Sequence, residues 1–207
     1  MRILLFLVLA MLQLPLFAQS ADEANVVLDK ALAALKADAP VCMDYTYRVV
    51  DEDGELLQDD KGVIYVDGGR YALLMQDMKV WCDGKVQWSY MREVNEVYVT
   101  DAASDEAQSL SPVFIMEHYR AGRAVSLVYK GDVAVVELRS LTDVAAEVVK
   151  LHIRKGDNRL VAMSIDMPGQ GGVEVLLDGY TAKCGADSDV FVCPLDEFST
   201  AEVIDMR

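Results

Sequence analysis

Two histidines, His118 and His152, are the side chains of this sequence best suited to acid–base chemistry. Their separation fits neither an HxH nor an HxxxH pair, and no GxSxG elbow or phosphate-binding loop accompanies them. The acidic stretches 51–55 and 58–60 lack the ligand spacing and the closing glutamate of a calcium loop. We therefore expect a protein that is not an enzyme and that uses neither a metal nor a cofactor.

Four cysteines could support redox or structural chemistry. Cys184 and Cys193 flank a turn-like segment, and we expect them to form a disulfide. Cys42 and Cys82 each lie in a strand-like run, where they could pair with each other or remain as buried free thiols. The four spacings match no zinc-binding pattern.

The binding of an apolar ligand is the chemistry that the remaining residues favour. The runs 62–66 and 71–75 carry apolar side chains on both faces of a strand, whereas 85–91 alternates apolar and polar residues. Several of the ten methionines lie in or beside such runs. Methionine is flexible and polarizable, so it suits a pocket for ligands of imperfect shape, although a single methionine more often simply fills a core.

The elements that would position these residues are mostly strands. Apolar residues at three- and four-residue spacing predict a helix over 22–36, which Pro40 ends, and Ser111-Pro112 predicts a short helix over 112–120. Turn dipeptides separate about eleven predicted strands with no helix between most of them, so the sheet should be antiparallel. These strands are 42–50, 61–67, 70–76, 78–82, 85–91, 94–100, 124–129, 133–140, 147–154, 159–166 and 173–183.

This pattern predicts a mainly β fold in which a strongly curved antiparallel half-barrel carries the two helices as a lid over an apolar cavity. The apolar residues on both faces of 62–66 and 71–75 are satisfied if one face meets a core and the other meets helices or ligand. A flat sandwich with a second layer of strands would also accommodate them, and it would bind no ligand.

The N-terminus predicts export. Arg2 precedes an apolar run from Ile3 to Leu12, and the small residue Ala18 follows Pro15, a pattern typical of a secretory signal peptide over residues 1–18. The apolar run is too short to cross a membrane. We expect cleavage after Ala18 and a single mature domain over residues 19–207 in the periplasm.

Charge restricts the partners. The formal net charge is −15, and removal of residues 1–18 leaves 18 basic and 34 acidic residues, a net charge of −16. Such a surface repels phosphate backbones and anionic headgroups, which disfavours nucleic acid and stable membrane docking. Acidic residues also keep a protein with hydrophobic surface soluble. We expect a monomer.

Four segments resemble the LolA-like periplasmic carriers of outer-membrane lipoproteins. The most specific is 81–90, which is similar to the family's DGK-x-x-W-x-Y hairpin. The others are the helix end at 32–36 with the strand at 44–48, the glycine-led strand at 61–66, and the Pro-led hydrophobic helix that starts at 111–116. The likeness covers roughly residues 24–120.

The resemblance implies a cavity that takes acyl chains of lipoproteins from an inner-membrane release complex and passes them to an outer-membrane acceptor. It also implies that residues 113–116 belong to a lid. The family's Arg-Pro pair, whose arginine is thought to latch the lid, corresponds here to Gly68 and Gly69, with Arg70 just beyond. The predicted ligand-contacting residues are Tyr71, Leu73, Met75, Trp88, Tyr90, Val113, Phe114 and Met116.

Two other functions fit the same pattern. The protein could be a periplasmic regulatory module that senses lipids or lipoproteins, although a regulator would be expected to carry a second domain or a docking surface. It could also carry a different apolar molecule, such as a glycolipid.

Overall fold

A computed structural model describes residues 15–104, 107, 113, 116, 123–143 and 145–207. The described part of the chain opens with a long helix, α1 (Pro15–Asp38), and continues into twelve strands. The strands are β1 (Val41–Val50), β2 (Leu56–Asp67), β3 (Arg70–Leu74), β4 (Met78–Cys82), β5 (Val86–Met91), β6 (Glu96–Asp101), β7 (Arg123–Lys130), β8 (Val133–Ser140), β9 (Val148–Arg154), β10 (Leu160–Met167), β11 (Gly171–Ala182) and β12 (Glu202–Asp205).

All twelve strands form one open, curved sheet in the order β12-β6-β5-β4-β3-β2-β1-β11-β10-β9-β8-β7. Two meanders, β1–β6 and β7–β11, are joined where β1 pairs with β11. The predicted mainly β, curved antiparallel architecture is confirmed, with two differences. First, the sheet has a twelfth strand in addition to the eleven expected. Second, this strand, β12, lies beside β6 and runs parallel to it, whereas all other neighbouring strands are antiparallel.

Helix α1 covers one face of the sheet, called the inner face below. Ala24, Leu28, Ala31 and Leu35 repeat at three- and four-residue spacing and are all buried. The helix contacts β7 and β8, and the Tyr129 hydroxyl of β7 donates a hydrogen bond to the Glu23 carboxylate at 2.7 Å. The predicted helix 22–36 is therefore present and is longer at both ends. Among the described residues, no helix has the length and apolar character needed to cross a membrane.

The predicted helix 112–120 falls mostly outside the described residues. Val113 and Met116 are described; both have helical backbone and both are buried in the core cluster that α1 shares with the inner face.

A second, smaller core lies on the outer face of the sheet. The C-terminal segment covers Trp81 and its neighbours there with two 3-10 turns, Ser188–Phe191 and Leu195–Phe198. The Phe198 ring centroid lies 5.5 Å from that of Trp81 and 4.4 Å from that of Tyr90. The segment then ends as β12, so one stretch of chain both fills this core and extends the sheet.

The expected Cys184–Cys193 disulfide is wrong: Cys184 bonds to Cys42, with their Cα atoms 5.9 Å apart. Cys42 pairs with Thr181 in the β1–β11 ladder, which brings the residues just after β11 to the start of β1. The 3-10 turn at Ser188–Phe191 carries Cys193 to the outer-face core instead, where it is buried as a free thiol. Cys82 is also free and buried, so the alternative Cys42–Cys82 pair does not form.

Candidate ligand-binding cavity

A cavity of about 330 Å³ lies between α1 and the inner face of the sheet. This volume is at the lower end of the range for small-molecule sites, roughly 300–1,000 Å³. Apart from one guanidinium and three tyrosine hydroxyls, the lining is apolar. The lining residues are Ala31, Leu35, Met43, Tyr45, Tyr47, Ile64, Leu73, Met75, Met78, Met116, Val149, Leu151, Arg159, Leu160, Met163, Ile165, Val173, Val175, Leu177 and Tyr180.

The floor of the cavity is the pairing of β1 with β11. Side chains alternate between the two faces of a strand, so every second residue of each strand points to the inner face. Tyr45 lies opposite Leu177 and Tyr47 opposite Val175, and all four line the cavity. The two meanders therefore contribute to one site at the place where they join.

Tyr45 packs over a glycine of the neighbouring strand. Gly62 lies directly opposite Tyr45 in the β1–β2 ladder, and a Cβ atom at Gly62 would come within 2.8 Å of the Tyr45 ring. The same atom would lie 2.5 Å from the backbone carbonyl oxygen of Leu74. The glycine thus leaves the space in which the ring lies across the sheet.

Five methionines give the cavity an adaptable wall. They come from β1, from the segment around the β3–β4 turn, from β10 and from Met116. Unbranched thioether chains change rotamer at low cost, so this wall can adjust to ligands of different shape. The five are Met43, Met75, Met78, Met116 and Met163.

A polar cluster forms part of the cavity wall. Arg159 Nη2 donates a hydrogen bond to Asp38 Oδ2 at 2.9 Å, and the Tyr180 hydroxyl donates to the same oxygen at 3.0 Å. The guanidinium carbon lies 4.0 Å from the centroid of the Tyr180 ring. Burial, reinforced by the bond to Asp38, raises the pKa of Tyr180, so its hydroxyl remains a donor. Because Asp38 is the last residue of α1, the cluster fixes the helix end to β11 and to the residue that precedes β10.

Three of the eight predicted contact residues, Leu73, Met75 and Met116, line the cavity. Val113 is buried in the core cluster around it. Tyr71 points to the same face but lies beyond the cavity, where its hydroxyl shares its one proton between the Ala107 carbonyl oxygen, 2.7 Å away, and the Gln87 side-chain oxygen.

The other three predicted residues take no part in the lining that the structure describes. Trp88 and Tyr90 point to the outer face and pack in the core that Phe198 covers. Phe114 lies outside the described residues. Arg70, in the position next to the family's latch, pairs with Asp67 and lies over the Phe191 ring at 4.8 Å, away from the cavity lining.

Sequence reasoning missed the half of the lining that β9–β11 provide. Val149 and Leu151 alternate with polar residues along β9, as do Met163 and Ile165 along β10. Such alternation marks a strand with one apolar face, but it does not reveal that this face meets the cavity. The family resemblance is concentrated before residue 120, so it adds no signal for these later strands.

Comparison with known proteins agrees with this architecture. A family model described as "Outer membrane lipoprotein carrier protein LolA" matches residues 14–156, more than half of the chain. The chain belongs to the LolA family. No curated protein matches its sequence.

Solved structures resemble this fold at low sequence identity. An uncharacterized conserved protein from Thermus thermophilus aligns with a TM-score of 0.56 and 12% identity, over 88% of this chain and 99% of that one. The MucA/MucB complex of Pseudomonas aeruginosa aligns with a TM-score of 0.53 and 14% identity, over 84% of this chain and 62% of that one. A LolA superfamily protein from Nitrosomonas europaea aligns with a TM-score of 0.46 and 10% identity, over 83% of this chain and 98% of that one. At these identities the likeness concerns the fold alone.

Proposed function

We propose that this protein is a periplasmic carrier that binds acyl chains of lipoproteins in the cavity and delivers them toward the outer membrane. The observation that supports this most directly is the apolar cavity itself, which is lined from both meanders and from α1 and has a wall of five methionines. Membership of the LolA family agrees with it. In this proposal residues 1–18 are a cleaved signal peptide, the carrier works as a monomer and it needs no cofactor.

Hydrophobic transfer would provide the binding energy. Each buried CH₂ contributes about 0.8 kcal/mol, so a long acyl chain could contribute on the order of 10 kcal/mol. A carrier must release its cargo, so part of this gain has to be cancelled. The apolar residues of α1 and the methionine side chains provide that cancellation, because they can pack against the same walls when the chain leaves.

Delivery requires a donor and an acceptor. We propose that an inner-membrane release complex supplies the acyl chains and that an outer-membrane acceptor removes them. The net charge of −16 expected after cleavage would keep the loaded protein in solution between the two membranes, and it disfavours nucleic acid as a partner.

Displacement of a fluorescent apolar probe tests cavity binding. The mature protein is loaded with the probe and titrated with a triacylated lipopeptide or with its non-acylated twin, and we expect displacement by the acylated form alone. Met163→Glu places a charge in the cavity and should abolish probe binding, whereas Met91→Glu at an exposed position of β5 should not. If the probe fails to bind the wild-type protein, carriage is excluded.

Transfer to acceptor vesicles then separates a carrier from a sensor. A carrier should move the lipopeptide to vesicles that hold an outer-membrane acceptor faster than free lipopeptide partitions. Binding without transfer would contradict the carrier role and favour a lipid- or lipoprotein-sensing module. Displacement by unrelated apolar molecules, with none by lipopeptide, would favour a carrier of another ligand.

A further inference from the structure

The cavity wall carries a tyrosine hydroxyl that has no hydrogen-bond partner among the described residues. Tyr45 is 7% exposed and lines the cavity, yet its hydroxyl makes no hydrogen bond with any residue that the structure describes. Two other buried or half-buried tyrosines behave differently: the Tyr71 hydroxyl is bonded to the Ala107 carbonyl and the Tyr180 hydroxyl to Asp38. Within the described part of the chain, the Tyr45 hydroxyl is thus an unpaired polar group on a wall that is otherwise apolar except for one guanidinium and two further tyrosine hydroxyls.

A ligand that fills the cavity would displace water from this hydroxyl and would have to replace it as a partner. The Tyr45 oxygen is not among the fully buried unpaired polar atoms of the described residues, so water can reach it. A ligand that excludes this water without offering an acceptor would lose about 1–3 kcal/mol of binding free energy. Burial, with Asp60 and Tyr47 adding smaller effects, raises the pKa of Tyr45. The group therefore stays a neutral O–H at physiological pH, and its natural partner is an acceptor oxygen carried by the ligand.

The charges around the cavity disfavour an anionic acceptor. Asp60 lies opposite Tyr47 in the β1–β2 ladder and acts on Tyr45 electrostatically. Among the described lining residues, Arg159 is the single cation, and it is already bonded to Asp38 and lies 3.7 Å from Asp157. A carboxylate entering this cavity would lose its hydration without gaining a free cation from the described lining.

From this arrangement we infer that Tyr45 donates a hydrogen bond to the carbonyl oxygen of a neutral acyl ester, and that the cavity selects acyl esters over free fatty-acid anions. The inference rests on the proposed function, because it assumes that the cavity takes an acyl chain. It adds the chemical class of the linkage: the carbonyl lies beside Tyr45, and the hydrocarbon chain follows the apolar wall of β9–β11 and the methionines.

Three ligands of matched chain length test this inference. Methyl palmitate has an ester carbonyl, hexadecyl methyl ether lacks it, and palmitate carries a carboxylate; each displaces the same fluorescent probe at neutral pH below its aggregation limit. The wild-type protein should bind the ester about fivefold more tightly than the ether, the value of one ordinary hydrogen bond. It should bind palmitate at least about tenfold more weakly than the ester.

Tyr45→Phe should bring ester affinity down to that of the ether and leave ether binding unchanged, which also shows that the variant cavity is folded. Tyr65→Phe, a half-buried tyrosine of the outer-face core, should change none of the three affinities. Equal weakening of ester and ether by Tyr45→Phe, or tighter binding of palmitate than of ester, would overturn the inference while acyl binding stands. If neither the probe nor any of the three ligands binds, the proposed function itself fails.

Discussion

The contact between Tyr45 and Gly62 determines the position of the Tyr45 ring in the cavity wall. The glycine faces the ring across the β1–β2 ladder, and any side chain at this position would meet both the ring and the Leu74 carbonyl. The ring can move into the cavity, whereas the carbonyl belongs to the sheet backbone and cannot move cheaply. The position therefore controls both stability and the space left for ligand.

Gly62→Ala should lower the free energy of unfolding by about 1–3 kcal/mol, because the new methyl group overpacks against backbone. It should also weaken binding of the apolar probe, since the displaced Tyr45 ring occupies part of the cavity. Urea denaturation and probe titration measure the two effects.

Gly69→Ala is the matched control, since an added Cβ there meets nothing within 4 Å. It should change stability by less than about 0.5 kcal/mol. If the Gly62→Ala protein is as stable as the control, the sheet backbone shifts enough to accommodate the added methyl group, and the prediction is wrong.

At the scale of secondary-structure elements, the strands were largely predictable and their partners were not. Turn dipeptides and alternation placed eleven strands close to their observed ranges, because both signals are local. The β1–β11 pairing and the parallel β12 depend on residues more than 100 positions apart, and nothing local encodes them. Trp88 and Tyr90 show the same limit: alternation predicts that they share a face, but the fold decides which face it is.

The Cys42–Cys184 disulfide ties the start of β1 to the segment after β11. It closes a loop of 142 residues, and cross-links across long loops restrict the unfolded chain most strongly. Reduction, or a Cys42→Ser/Cys184→Ser double variant, should lower the free energy of unfolding by about 2–5 kcal/mol. Urea denaturation with and without reductant measures the difference.

A Cys82→Ala/Cys193→Ala variant provides the control for reductant. Both thiols are free and buried, and burial raises the pKa of Cys193 to about 11, so neither forms the cross-link. This variant should retain the full dependence on reductant. If reductant leaves the wild-type midpoint unchanged, the link does not contribute to stability.

For the molecule as a whole, the cavity is a gap in the largest hydrophobic core, so occupancy and stability should be coupled. A ligand that binds only the folded state at about 100 times its Kd adds about 2.7 kcal/mol to the free energy of unfolding. Methyl palmitate should therefore raise the midpoint of thermal unfolding in a concentration-dependent manner, as followed by circular dichroism. Met163→Glu should remove the shift, and a shift of equal size in that variant would indicate binding outside the cavity.

The pairing of β1 with β11 also determines how late the cavity can form as the chain is made. Of the eleven strands in the two meanders, β1 is synthesised first and β11 last. These two strands nevertheless pair to form the floor of the cavity. Each meander can assemble from neighbours in sequence, whereas the join must wait for the most distant partners. The lining is complete only once Tyr180 has been added, so a chain that stops before this residue cannot form the whole cavity.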